Sequence, residues 1–436
     1  MQKLLLPLAI AAFFIPSAYS QTMVAPESAA LATSYAPSVE PSGDLSLPAA
    51  LNLAYRANAD IAVARREVQA IEGVILQAQT RRNPEIAASV EDTKRETRTT
   101  TVQLNQPIEL GGKRAARITA SERSYDAAVI DLAGKQAEIR AAVVAAFYDV
   151  VTAQERYRLA QATSELAKRA TDIAAKRVLA GKVSPVEETR ARVAESGVRV
   201  ELGQASSDLQ AARRRLAAMW GSGMPRFERA VDQFEVLPAL PGSDMLRQGL
   251  NQAPGLQRAR MEVERRQALA RVEQTRRVPD LTLSLGVKRD EQIGRSQAIV
   301  GVSVPLPFFD RNQGNVLEAL RRTDKARDEL LATEVRLKSE LGQAYERLNV
   351  SRQEAELLRL EILPGAQSAY DATTKGYELG KFNFLEVLDA QRTFFQARAQ
   401  YLRALSETHR SAAEIDRIVG VPFENNPRDA VHQEQK

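Results

Sequence analysis

The 436-residue chain contains no cysteine. Disulfides, thiolate metal sites, a cysteine nucleophile and a lipid carried on an N-terminal cysteine are therefore all excluded. Histidine occurs only at His409 and His432, too far apart for a histidine-rich metal centre within one chain, so no resident metal or cofactor is expected. Aromatic residues make up 5%, too few for base-stacking platforms. The mean hydropathy of −0.31 argues against a polytopic helical membrane protein. The net charge of +5 hides interleaved signs, as in "RRTDKARDELLATEVRLKSE", which is the pattern of solvated helix surface. No nucleic-acid partner is expected. Paired carboxylates such as Glu187–Glu188 sit on helix surfaces with no pocket signature, so enzymatic activity is not expected either.

Lys3, the short apolar run "LLLPLAIAAFFI" and the small residues Ala18 and Ser20 read as a signal peptide over 1–20. The apolar run is shorter than the ~20 residues a membrane helix needs. Residues 21–43, rich in Ser, Pro and Ala, read as an extended leader.

The rest of the chain is written twice. "QTRRNPEIAASV" from Gln79 answers "QTRRVPDLTLSL" from Gln274, and "LAGKVSPVEETRA" from Leu179 answers "LGKFNFLEVLDA" from Leu379. The first repeat spans 44–221, with a β-hairpin over 84–106 and long helices over 113–220. A linker covers 222–243. The second repeat spans 244–421, with a hairpin over 280–304 and helices over 313–420, and a tail over 422–436 follows.

Leu281, Leu283, Leu285 and Val287 alternate with Thr282, Ser284 and Gly286, which is the period of a strand with two unlike faces. Its partner strand sets Ala298, Val300, Val302 and Val304 on one face. Strands of about 10 residues cross an outer membrane when tilted, but four strands cannot close a barrel or satisfy their own edges in lipid. Either the hairpins lie on a soluble sheet, or several chains pool their strands.

Apolar and small residues then recur in alternating steps of four and three, from Ile139 to Val178 and from Leu337 through Leu348, Ala355 and Leu358 to Ile362. This is a coiled-coil seam. No proline interrupts Ala115–Lys182, which predicts a helix roughly 100 Å long.

"QPIELGGKR", from Gln106, joins strand to helix. It lacks the spacing and the Ser or Thr of a phosphate loop. It reads instead as a corner: Pro107 ends the strand ladder for want of an N–H, and Gly111 and Gly112 supply the turn. The second half makes the same corner with Pro305, Pro307 and "FFDRNQG".

On these residues the chain resembles the outer membrane efflux protein (TolC) family over about Leu45–Val421. "QPIELGGKRAARI" is most similar to the CzcC-like branch associated with cobalt, zinc and cadmium resistance. The resemblance implies a mainly α fold with membrane β, in which a homotrimer shares a 12-stranded β-barrel in outer-membrane lipid and an α-helical cylinder in the periplasm. It implies a passive exit duct for heavy-metal cations, docked on a periplasmic adaptor and an inner-membrane RND pump. A channel for multidrug efflux or type I protein secretion is the alternative, and a periplasmic coiled-coil scaffold with no pore is a further alternative of a different class. It also implies adaptor-docking tips at Arg177, Leu179, Gly181, Leu379 and Gly380. The matching periplasmic entrance would involve Glu386, Asp389, Tyr377, Glu187 and Arg190, with an Arg190–Asp389 bridge helping to close it. The arginine expected in that network falls at Phe382, so this part of the latch is absent or replaced.

Overall fold

The computed structural model describes residues 40–231, 234–379, 381–382 and 384–420. The signal peptide, the leader up to residue 39, Gly380 and the C-terminal tail lie outside the described residues. The first half runs β1 (Asp44–Ser46), α1 (Leu47–Ala57), α2 (Ala59–Gln79), β2 (Glu85–Glu91), β3 (Thr99–Ile108), α3 (Lys113–Leu179) and α4 (Pro185–Ala218). β4 (Arg229–Val231) follows. The second half runs α5 (Ser243–Gln252), α6 (Pro254–Thr275), β5 (Leu281–Asp290), β6 (Arg295–Ser303) and α7 (Gln313–Leu357), then a π-helical turn (Leu358–Ile362), α8 (Leu363–Glu378) and α9 (Phe384–Val419).

The two hairpins join edge to edge in one antiparallel sheet ordered β2-β3-β5-β6. Its register sets Ile86, Leu104, Leu285 and Val300 in one row, and Ala88, Val102, Val287 and Ala298 in the next row on the same face. Glu85, Asn105, Ser284 and Gly301 form a row on the opposite face, where the Ser284 hydroxyl donates to Asn105 Oδ1 at 2.7 Å. The expectation that Pro107 ends the ladder is corrected: β3 continues to Ile108, with Pro107 opposite Thr282. β2 has already ended at Glu85, opposite Asn105. At Pro107, β3 is therefore an edge on that side, the position where a missing N–H is tolerated.

α3 is one uninterrupted helix of 67 residues, about 100 Å long. Its seam residues Ile139, Val143, Ala146, Val150, Ala153, Ala167, Thr171 and Ala174 are buried. Around its middle, Phe147 and Val150 meet Leu216 of α4 and Tyr401 and Leu405 of α9 in the main core. A second core joins Leu341 and Leu348 of α7 to Ile415 and Ile418 of α9.

The seam of α7 departs from its predicted course at one point. Leu337, Leu341, Ala344, Leu348, Ser351, Ala355 and Leu358 are buried as expected, but Ile362 is 42% exposed and Leu363 is buried instead. The Leu363 N–H bonds to the Leu358 carbonyl, five residues back. A π-turn holds one extra residue, which rotates the following stripe by one position.

The segments read as leader and linker also contribute structure. β1 pairs in parallel with β4. Glu40 is buried and accepts from Trp220 Nε1 at 3.3 Å and from the backbone N–H of Arg226 at 2.7 Å. Phe227 and Phe234 are buried in the main core.

Candidate functional site: the sheet rim and the helical tips

At the first strand-to-helix corner Gly111 has φ +69 and Gly112 φ +75, a left-handed conformation costly to residues with a Cβ. At Gly111 a Cβ would also lie 2.7 Å from Cβ of Val278. Beyond the glycines, Lys113 Nζ meets Asp280 Oδ1 at 2.5 Å, and Arg117 pairs with Glu109. Arg82 stands 3.7 Å from both Glu109 and Asp280. Lys113, the residue that suggests a phosphate loop, is thus neutralised by a carboxylate of the other half. The Glu109 carboxylate raises the Arg117 guanidinium above its usual pKa.

The second corner is built differently. The left-handed residue is Asn312, φ +58, whose side-chain amide donates to the Glu273 carbonyl at 2.8 Å. Gly314 falls inside α7. The Phe308 N–H reaches the Leu306 carbonyl at 2.9 Å in a three-residue turn centred on Pro307.

At the opposite end of the helices α3 stops in a Schellman motif. Lys182 N–H bonds to Arg177 O and Gly181 N–H to Val178 O, both at 2.9 Å, with Gly181 at φ +67. Ser184 then caps α4, accepting from Val186 N–H at 3.3 Å, with Pro185 in the first turn. The partner turn repeats the six-to-one bond, from Lys381 N–H to Gly376 O at 2.8 Å. Phe382 packs on Gly376.

Arg177 and Tyr377 come together. The guanidinium lies 4.3 Å from the ring centroid and donates to the Tyr377 carbonyl at 3.1 Å. This links the end of α3 to the end of α8. Beneath it a small cluster buries Ala174, Ala191, Tyr377 and Val387. Leu179 is 88% and Leu379 65% exposed. Glu386, Asp389 and Arg190 are exposed and Glu187 is half-buried. No Arg190–Asp389 ion pair occurs within the chain among the described residues. The Arg177 contact links two residues read from sequence as separate sites. Their 200-residue separation, close to the repeat period, is the signal that could have paired them.

His409 is a core residue. Its ring stacks on Tyr148 at 3.9 Å, and Nε2 lies 3.1 Å from the Phe234 carbonyl. No group of three or more His, Cys, Asp or Glu poised to hold a metal ion occurs among the described residues.

The sequence profile of outer membrane efflux proteins matches residues 50–222 and 245–421, one match per half. The chain is 46% identical to the cobalt-zinc-cadmium resistance protein CzcC of Cupriavidus metallidurans, over 96% of this chain and 100% of that one. Among solved structures, CusC superposes with a TM-score of 0.73 at 18% identity, covering 86% of this chain and 92% of CusC. The Campylobacter jejuni CmeC outer membrane channel superposes with a TM-score of 0.71 at 16% identity, covering 89% of each chain. These two establish likeness of fold. With both halves matched by the family profile and a relative aligned over nearly its whole length, the chain belongs to the outer membrane efflux protein family.

Proposed function

We propose that this protein is the outer-membrane exit duct of a tripartite heavy-metal efflux system, carrying divalent cations of the cobalt, zinc and cadmium class as cargo. The 46% identity to a cobalt-zinc-cadmium resistance protein across its entire length carries the choice of cargo. The fold supports the duct. Three chains supplying four strands each close a 12-stranded barrel and remove the open edges of β2 and β6. The duct is passive and non-enzymatic, and an RND-type inner-membrane pump supplies the driving force.

The tips divide into two roles. The exposed Leu179 and Leu379, with Gly181 shaping the turn, meet a periplasmic adaptor; Gly380 shares this assignment from the sequence alone. Glu386 and Asp389, three residues apart at the start of α9, ring the entrance where three copies converge. We assign Arg190 and Glu187 to contacts between neighbouring copies there. Arg177 supplies a cation at Tyr377, the role that Phe382 cannot fill.

The test is growth of a deletion strain on graded cobalt, zinc and cadmium, complemented with this gene. Restored metal tolerance with unchanged drug susceptibility supports the reading. Restored drug tolerance alone refutes the metal cargo while leaving the duct intact. Leu179→Asp should abolish both tolerance and co-purification of the adaptor while the trimer persists.

A further inference from the structure

We propose that Arg98 and Arg289, on the lipid-facing side of the sheet at its loop end, hold a phosphate of the glycolipid (lipid A) in the outer leaflet of the outer membrane. The loops β2–β3 and β5–β6 lie at the end of the strands away from the helices, so they face the cell exterior. The register fixes which side chains point to lipid there. Beyond the rows that contain Leu285 and Val287, the next row on the same face is Val90, Thr100, Arg289 and Ser296. Arg289 is exposed, and it is the only charged residue in these three rows.

Arg98 stands one rung further out. Glu291 N–H bonds to its carbonyl at 3.1 Å, which continues the β3–β5 ladder past Thr99 and Asp290. Alternation from Thr100 puts Arg98 on the lipid face too. The carboxylates nearby do not cancel the two cations. Glu291 Oε1 lies 3.4 Å from Arg289 Nε, an exposed pair of small worth. Asp92 accepts from the Thr97 hydroxyl and from Lys94 N–H. Asp290 accepts from the N–H groups of Gln292 and Ile293 at 3.0 and 3.2 Å. Glu96 is the remaining carboxylate of the first loop, which also carries Lys94 and Arg95. Among the described residues, no carboxylate lies within ion-pair distance of Arg98, Lys94 or Arg95.

The depth of the pair follows from the strand. Leu281 adjoins Asp280 of the rim ion cluster, and Arg289 stands eight positions along β5 from it. That is about 27 Å along the strand and roughly 20 Å across the membrane once the strand is tilted. The apolar band of an outer-membrane barrel is about 25 Å tall. Arg289 therefore sits where the outer hydrocarbon gives way to headgroups. A guanidinium at that level needs an anionic partner, and its planar fork matches phosphate oxygens two at a time. Lipid A carries its phosphates at this level, whereas the phospholipid phosphates of the other leaflet lie at the opposite rim. Each copy carries one such pair, so a trimer carries three. The inference rests on the outer-membrane fold and is independent of cargo.

The test titrates the purified full-length trimer, stripped of lipid in detergent, with bisphosphorylated lipid A, and counts bound lipid by native mass spectrometry. Dephosphorylated lipid A with the same acyl chains and phosphatidylglycerol are titrated alongside. Bisphosphorylated lipid A should bind the most tightly of the three. Arg98→Gln combined with Arg289→Gln should weaken its binding about tenfold through the loss of charge-assisted hydrogen bonds. Lys288→Gln removes one positive charge from the opposite face, where Lys288 lies between Thr101 and Gln297, and should leave binding unchanged. Equal binding of dephosphorylated lipid A would show that only acyl chains are held, and equal binding of phosphatidylglycerol that no outer-leaflet lipid is selected; either overturns the proposal. An unchanged affinity in the double variant overturns it, and so does an equal loss in Lys288→Gln, which would reduce the effect to net charge. If the double variant fails to assemble, Arg289→Gln alone is read by the same criteria.

Discussion

The two ends of the helices contrast sharply. At the sheet end the two hairpins are joined along the whole of β3 and β5, from Thr99 opposite Asp290 to Ile108 opposite Leu281. Five charged side chains then tie both halves together at the rim. At the tip end the described core consists of four buried residues, three of them alanine or valine, and Arg177 bridges the hairpins. The first end is determined several times over; the second is held by few contacts. The sheet end is held by continuous backbone ladders and ion pairs between the halves, whereas the tip end depends on one small cluster and one bridge, so the tip is the end expected to open first.

The largest effect is expected at the sheet end. Leu285→Arg places a charge on the exposed apolar row and should cost about 2–4 kcal/mol of barrel stability. Thr282→Arg, on the opposite face, should cost far less. Urea unfolding of the reconstituted trimer reads both. Equal losses would remove the distinction between the two faces.

Next comes the first corner. Gly111→Ala combines left-handed strain with the close approach of Val278 and should cost roughly 2–3 kcal/mol. Gly112→Ala meets nothing within 4 Å and should cost about 1–2 kcal/mol from backbone strain alone. Thermal dissociation of the trimer on a gel orders the two variants; the reverse order would show that the corner relaxes around Val278.

Much of this architecture was legible in the sequence because it is periodic. Alternation from Leu281 to Val287 specifies a two-faced strand, and steps of four and three from Ile139 specify the seam. The exceptions involve a single residue or a non-local partner. Nothing in "LLRLEILPG" marks the π-turn except Pro364, which weakens the helical ladder nearby. Pro107 was misread because its tolerance depends on where β2 stops, a property of the neighbouring strand. Glu40 is a buried acceptor for Trp220 and Arg226 across 180 and 186 positions of chain, and no local pattern encodes that. Arg177 at Tyr377 belongs to the same class.

At the tip, Arg177→Ala removes one cation–π contact and one hydrogen bond, about 1–2 kcal/mol together. The trimer should remain assembled and its unfolding midpoint nearly unmoved, while resting conductance in a planar bilayer rises. Arg177→Lys keeps the charge but loses the planar stack, so its conductance should fall between the two. A conductance for Arg177→Ala equal to that of the unmodified channel would mean that α3 and α8 do not separate when the entrance opens.

The smallest effect on stability should accompany a clear effect on ions. Glu386 and Asp389 are exposed in the first two turns of α9, so replacing them should leave unfolding unchanged within about 0.5 kcal/mol. Their charge acts collectively instead. In the proposed entrance, three-fold symmetry would bring three copies of each toward one axis, and six like charges around a narrow mouth would concentrate cations by focusing the field. Divalent cations added from the periplasmic side should therefore block the channel, and block should weaken at high ionic strength because exposed charges are screened. Glu386→Ala combined with Asp389→Ala should relieve most of the block without altering assembly. Arg190→Ala should leave the acidic ring intact and instead raise resting conductance by removing a contact between neighbouring copies. Block that persists unchanged in the double variant places both carboxylates away from the entrance. The yielding end of the molecule would then be a mechanical gate without an electrostatic filter.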